Sequence, residues 1–308
     1  DENLWDLTDD TLAVYGLANF GSDFLQTWNT TGNVAVRLVN TDYEGVGAID
    51  LAGDAINDFG NIGTQTMERE SFEALPSFNV IFSPNDLDQF QIRGAISRAL
   101  ARPEINDIQP GLVLRIDDIN TSDAEGRIEV GNPELDPFLA WQYDLGFEWY
   151  FGEAGESAIT AGLFWKDVQN FVTSTQDPAV IQNFINSTVD DSALDLASAT
   201  AGVTVPVVYE GELAINGGEA DIFGIELGFQ TPFYFLPGFW SDFGVVANYT
   251  YTDSQFEDAS GNTQPFPGAS ENAYNLIGYY EKGGFSGRLA YTYRDEFLIV
   301  PGTNDQNT

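Results

Sequence analysis

Ten stretches of this chain alternate apolar and polar residues at a period of two, and the links between them run short, long, short, long along the sequence. In the stretch that ends the pattern, Phe285, Gly287, Leu289, Tyr291 and Tyr293 lie on one face and Ser286, Arg288, Ala290, Thr292 and Arg294 on the other. A half-exposed strand of a soluble sandwich has the same period, so one strand decides nothing. A charge on the lipid face of a membrane barrel costs about 2–4 kcal/mol near mid-membrane, so in a barrel the two arginines put the even face toward water. What separates the two readings is the links. Long structureless links are uncommon in a compact soluble domain, and here they fall on alternate connections, so all emerge at one end of the sheet. Outer-membrane barrels have that asymmetry, with short periplasmic turns and long extracellular loops.

The strands are expected over residues 11–20, 33–41, 71–82, 90–98, 140–151, 157–168, 219–230, 241–253, 271–281 and 284–295. Short links cover 83–89, 152–156 and 282–283, intermediate ones 21–32 and 231–240, and long ones 42–70, 99–139, 169–218 and 254–270. Leu289, Tyr291, Phe243, Val245, Phe147 and Trp149 are expected on the lipid side, with Arg288, Arg93, Gln142 and Glu148 on the lumen side. Trp149, Tyr150 and Phe151, the run from Phe233 to Trp240, and Tyr279 with Tyr280 flank the shorter turns. Such clustering suits an aromatic girdle at the periplasmic interface.

Composition narrows the chemistry. The absence of Cys and His removes disulfides, thiolate and imidazole metal sites and the usual general base. The formal charge of -37 argues against nucleic acid, which is bound through Lys and Arg. The long links are strongly acidic, their few cations including Arg69, Arg102, Arg115 and Arg127. Solvation accounts for this acidity, and divalent-cation binding by Asp117, Asp118, Asp123 and Glu125 is the sharper alternative. No apolar run is long enough for a transmembrane helix, and no leader-like series opens the chain.

Two segments of the longer links stand out. Residues 96–108 read ISRALARPEINDI and residues 130–150 read VGNPELDPFLAWQYDLGFEWY. Pro103, Pro133 and Pro137 remove backbone donors and end strand pairing, while Gly131 and Asn132 tolerate turn geometry. Ala101, Arg102, Pro103, Gly131, Asn132, Pro133, Asp136 and Pro137 therefore read first as structural punctuation. Arg102 is expected to pair with a carboxylate such as Asp107 or Asp136, the alternative being contact with substrate. Together with GNVAVRLVNTD (32–42), LPSFNVIF (75–82), AGLFWKDVQNF (161–171) and NGGEADIFGIELG (216–228), these segments resemble, in order, the TonB-dependent receptors of the bacterial outer membrane, particularly the group common in Caulobacter-like and Xanthomonas-like bacteria.

That resemblance implies an all-β fold: ten antiparallel strands from the middle to late part of a transmembrane β-barrel of about 22 strands. It implies a plug domain and closing C-terminal strands that the chain does not show, so residues 1–308 read as a partial barrel domain, expected to form a curved open sheet. It also implies a receptor and transporter rather than an enzyme. The implied partners are outer-membrane lipid, an extracellular small ligand, and TonB with its inner-membrane energising complex, with no cofactor, metal or nucleic acid. Ferric siderophores and oligosaccharides are family ligands, and the acidic mouth favours the neutral oligosaccharide. Loops 99–139 and 169–218 are the candidates for ligand capture, and Trp141, Phe184 and Tyr209 the candidates for stacking on sugar rings. Two alternatives remain: a small passive outer-membrane porin or adhesin barrel, and a secreted acidic glycoside hydrolase using a carboxylate pair, for instance Asp144 beside Trp141 and Tyr143.

Overall fold

The computed structural model describes residues 5–25, 27–52, 58–85, 89–117, 125–152, 155–188, 208–257 and 261–299. Along the chain come β1 (Trp5–Leu25), β2 (Trp28–Ala52), β3 (Asp58–Pro84), β4 (Phe90–Ala101), β5 (Leu112–Asp117), β6 (Glu125–Val130), β7 (Phe138–Phe151) and β8 (Ser157–Gln169). Then follow β9 (Val172–Thr175), α1 (Pro178–Thr188), β10 (Val208–Asn216), β11 (Ala220–Pro232), a 3-10 turn (Gly238–Asp242), β12 (Phe243–Glu257), β13 (Thr263–Gln264), β14 (Asn272–Lys282) and β15 (Phe285–Arg294).

A wall is formed by β1, β2, β3, β4, β7, β8, β11, β12, β14 and β15, each antiparallel to the next. These are the ten strands expected from the alternation, and every long link leaves the same end. Among the described residues β1 and β15 do not pair, so the sheet is open.

Directly paired residues share a face, so the register draws rows across the wall. One row runs Phe147, Ala161, Leu227, Tyr249, Tyr274, Tyr293, and the next on the same face Trp149, Ile159, Phe229, Ala247, Leu276, Tyr291. The opposite face carries Arg93, Gly146, Gly162, Glu226, Thr250, Ala273 and Arg294. All ten side chains assigned to lipid or lumen from the sequence fall on the expected faces. On the polar face Arg93 pairs with Glu148 at 2.9 Å, and Tyr150 donates to Glu148 at 2.7 Å. At the tight turn between β14 and β15, Gly283 and Gly284 have φ of 55° and 85°, the left-handed geometry that a two-residue hairpin needs.

Several boundaries differ from expectation. The link 21–32 is mostly strand, because β1 and β2 stay paired to Leu25 and Trp28. The link 42–70 is largely a β-hairpin: β2 and β3 remain paired from Trp28 and Pro84 to Ala52 and Asp58. The alternation continues from Val39 and Thr41 into this segment, where Gly45, Gly47 and Ile49 are buried on the same face. The other face carries Asp42 and Glu44, and above the membrane a charge on the outward face no longer costs the lipid penalty. The upper parts of β1, β2 and β3 thus form a blade rising above the apolar belt.

The other long links fold onto this blade. β5 runs parallel to the tip of β2 over Ile49 to Ala52 and pairs with β6, which lies parallel to β10, which in turn pairs with β9. Asp177 caps α1 through Ala179 N–H at 2.8 Å, and Pro178 occupies the first helical position, where its missing donor is harmless. Ile181, Phe184 and Ile185 recur at helical spacing and are buried, as are Leu112, Ile128 and Leu213. This extracellular lobe has a core of its own, continued by rings of Phe138, Phe171, Phe256 and Phe266 packed 5.0–5.7 Å apart.

Candidate functional site

The two motif segments meet on the lumen face of the blade. Register puts Asp9, Tyr43 and Arg69 side by side on β1, β2 and β3. Arg102, one residue past β4, reaches Asp9 at 2.6 Å and also donates to Thr11 Oγ1. Its partner is therefore neither Asp107 nor Asp136. Asp9 is far away in sequence and precedes the expected start of the first strand, so local spacing did not reveal it. Asp136 pairs instead with Arg69.

Close approach makes the seat possible. A Cβ on Gly47 would collide with the backbone of Pro110 and Gly111, where the 99–139 link crosses β2. A Cβ on Gly131 would meet Gln109 backbone oxygen at 2.6 Å. Beside these glycines Asn132 donates to Ala214 O at 2.9 Å, and its side-chain oxygen accepts from Glu134 N–H at 3.0 Å. Asp136 N–H donates to Asn216 Oδ1 at 2.7 Å, and Asn216 Nδ2 donates to the carbonyls of Asp136 and Asn170 at 3.0 and 3.1 Å. Asn170, at φ 59°, donates to Pro137 O at 3.3 Å. Pro103, Pro133 and Pro137 are buried, and Ala101 pairs with Phe138 at the top of the β4–β7 ladder. The motif segment thus ties the two longest links to each other.

Below Asp136 opens a cleft of about 440 Å³, lined by Leu7, Tyr43, Gln65, Met67, Glu134 and Asp136 among others. Its size suits part of a small ligand, since such pockets hold roughly 300–1,000 Å³. Burial and the Asp9 carboxylate raise the Tyr43 phenol above its ordinary value against the pull of Arg102 and Arg69, so Tyr43 is a neutral hydrogen-bond donor and acceptor. Among the described residues one arginine lines the cleft, Arg69, and it is already paired with Asp136.

The candidate sugar-stacking residues fare differently. Phe184 is 8% exposed in the lobe core and has no face to offer a ligand. Trp141 stacks on Tyr143, which stacks on Trp165, all on the apolar face of the wall. Tyr209 pairs through its backbone with Gly126, and its side chain lies outside the described part. Asp144 sits within β7, and as the neighbour of Tyr143 on a strand it points to the opposite face, so the carboxylate and aromatic group of the hydrolase reading does not form. For the cation reading, Asp118 and Asp123 lie outside the described residues, and Asp117 and Glu125 are described only as a backbone pair. Among the described residues no group of acids is arranged to hold a metal ion.

Comparison with known proteins agrees with this architecture. The family model for the TonB dependent receptor-like beta-barrel matches residues 3–308. The chain therefore belongs to the TonB-dependent receptor β-barrel family, whose barrels are outer-membrane proteins. No curated protein sequence matches it. Among solved structures it is similar to the siderophore receptor PiuA from Acinetobacter baumannii, with TM-score 0.53, 17% identity and 94% of this chain on 34% of that one. It is also similar to the ferric-catecholate import receptor Fiu from E. coli K12, with TM-score 0.54, 13% identity and 94% of this chain on 35% of that one. The copper transporter OprC gives TM-score 0.54 and 14% identity over 93% of this chain and 35% of its own. The chain spans about a third of the length of these proteins, and at such identities the likeness is one of fold.

Proposed function

We propose that the chain supplies wall and extracellular lobe to an outer-membrane receptor that captures a scarce or bulky ligand and imports it with TonB-coupled energy. In this reading the plug, the TonB contact and the closing strands belong to the rest of the receptor. The lumen-facing cleft between the blade and the motif segment carries the proposal, because it lies at the mouth through which an imported ligand must pass.

Ligand chemistry follows from the charges. Among the described residues of the lining one arginine, Arg69, already paired with Asp136, stands beside the carboxylates of Glu68, Glu134 and Asp136, a balance that disfavours an anionic catecholate or carboxylate siderophore. Tyr43, Leu7 and Met67 give an apolar surface beside the polar groups of Gln65 and Glu134. Such a surface favours a neutral, hydroxyl-rich ligand, and we assign the oligosaccharide class ahead of ferric siderophores.

The test is uptake in cells carrying the full-length receptor. Import is expected to stop when TonB is removed or the proton-motive force collapsed, whereas binding at the cell surface persists. Tyr43→Ala is expected to weaken surface binding without lowering the amount of assembled barrel. Uptake unchanged without TonB would refute energised import and favour a passive pore.

A further inference from the structure

The wall has a discontinuity that the ladder alone does not explain. β3 and β4 pair only from Phe82 and Ile92 up to Ser77 and Ser97. Above that level β3 stays paired with β2 as far as Asp58, and β4 stays paired with β7 as far as Ala101. Pro76, the next residue of β3, has no N–H to offer. Both strands continue, yet their facing edges part, leaving a seam between the blade and the rest of the rim.

Side chains span the seam where backbone pairing stops. Arg98 Nη1, on β4, reaches Glu73 Oε2 on β3 at 3.2 Å and the Ala74 carbonyl at the same distance. Arg102 reaches over to Asp9 on β1, and Arg69 on β3 reaches Asp136 just before β7. Three arginines thus join the blade to its neighbours, each crossing the same divide. Ile108, Pro133 and Leu135, all buried, share the lining of one narrow apolar cavity with Leu7, Thr41 and Tyr43 beside them.

This closed arrangement carries a cost. Arg98 Nε and Arg69 Nη1 are buried and make no hydrogen bond in the protein. A buried donor without an acceptor loses its hydration and gains nothing in return, whereas a parted seam would give both donors to water. The apolar wedge and the ion pairs favour closure; the unmet donors favour opening. Opposed terms of this kind make a two-state element.

We propose that the seam is a lateral slit at the extracellular rim, stapled shut by Arg98, Arg102 and Arg69 and able to part while the ladder below Ser77 stays intact. Parting separates the facing edges of β3 and β4 above Ser77 and widens the slit there, while β5 stays paired with the tip of β2 over Ile49 to Ala52 and closes its upper end. The proposal does not depend on ligand identity or on TonB.

This chain has no cysteine of its own to compete with introduced labels. Spin labels at Leu75→Cys and Ala99→Cys would straddle the seam in the full-length receptor, and labels at Asn79→Cys and Ala95→Cys would straddle the paired ladder below. Pulsed dipolar spectroscopy should show two distances across the seam and one short distance across the ladder. Removing two staples with E73Q and D9N, which leave the arginines in place, should enlarge the longer population about threefold or more, the scale of losing partly exposed ion pairs. High salt should do the same in the unsubstituted background, which keeps the test decisive if the double variant assembles poorly. A single narrow seam distance that moves with neither treatment would overturn the proposal. So would equal widening of both pairs, which would mean that the wall loosens as a whole.

Discussion

The wall and the extracellular lobe use the same apolar residue types to opposite ends. In the wall Leu12, Val14 and Leu289 are 71%, 63% and 79% exposed, whereas in the lobe Leu112, Leu135 and Ile181 are 1%, 2% and 0% exposed. The wall is one layer thick and holds no core, so its apolar rows need lipid to cover them. The lobe folds back on itself and covers its own. A single chain thus contains a region whose stability is a property of the membrane and a region that packs like a soluble protein.

The sharpest way to break that comparison is to empty the lobe core. Leu135→Ala should destabilise the seating of the motif segment by about 2–5 kcal/mol. It should leave barrel assembly intact, which hydrogen exchange over residues 99–139 combined with heat-modifiable electrophoretic mobility would show. Loss of both together would mean that wall and lobe are not separable. Next in size is charge in the wall. Leu289→Arg should impair membrane assembly by about 2–4 kcal/mol, while Thr292→Arg, on the lumen face of the same strand, should be tolerated. Equal yields of the two variants in the outer membrane would contradict the register.

A smaller effect is expected on the blade, which belongs to neither regime. Asp10, Asp42 and Glu70 lie directly opposite one another on its outward face. Like charges in that position repel, so Asp42→Asn should stabilise the blade by about 0.2–1 kcal/mol, more at low salt. Denaturant unfolding followed at the blade is the measurement, and a loss of stability would show that these acids serve some other contact. The smallest effect concerns pH. Burial, with Glu104 nearby, raises the Asp107 carboxyl above its ordinary 3.8. A raised folded-state value means that its contribution to stability is fully present below the ordinary value and is lost as pH rises through the folded one. Asp107→Asn should flatten the pH dependence of lobe stability in that window alone.

Much of the wall is legible in the sequence. Alternation around Phe90 to Ile96 and Phe285 to Tyr293 specified both strand and face, because a residue that slips by one moves from lipid to water. The motif segments were legible as places where prolines stop a ladder. The blade was not. The expected strand ends at residue 41, because Asp42 puts an acid on the outward face and a ladder continuing into water carries no apolar signature on that face. Spacing alone identifies neither Asp9 as the partner of Arg102 nor Asp136 as the partner of Arg69, and it does not show that α1 buries Phe184.

The sequence by itself determined the local pattern of this protein: a period of two wherever one face meets lipid, prolines and glycines wherever the ladder must stop or turn, and a family order of motifs. Tertiary structure alone decided which distant links share a core, which arginine meets which carboxylate, and where β3 leaves β4. Alternation is written residue by residue because the membrane acts on each strand alike. Contacts between loops depend on where the whole sheet carries their ends, and no local stretch of sequence holds that information.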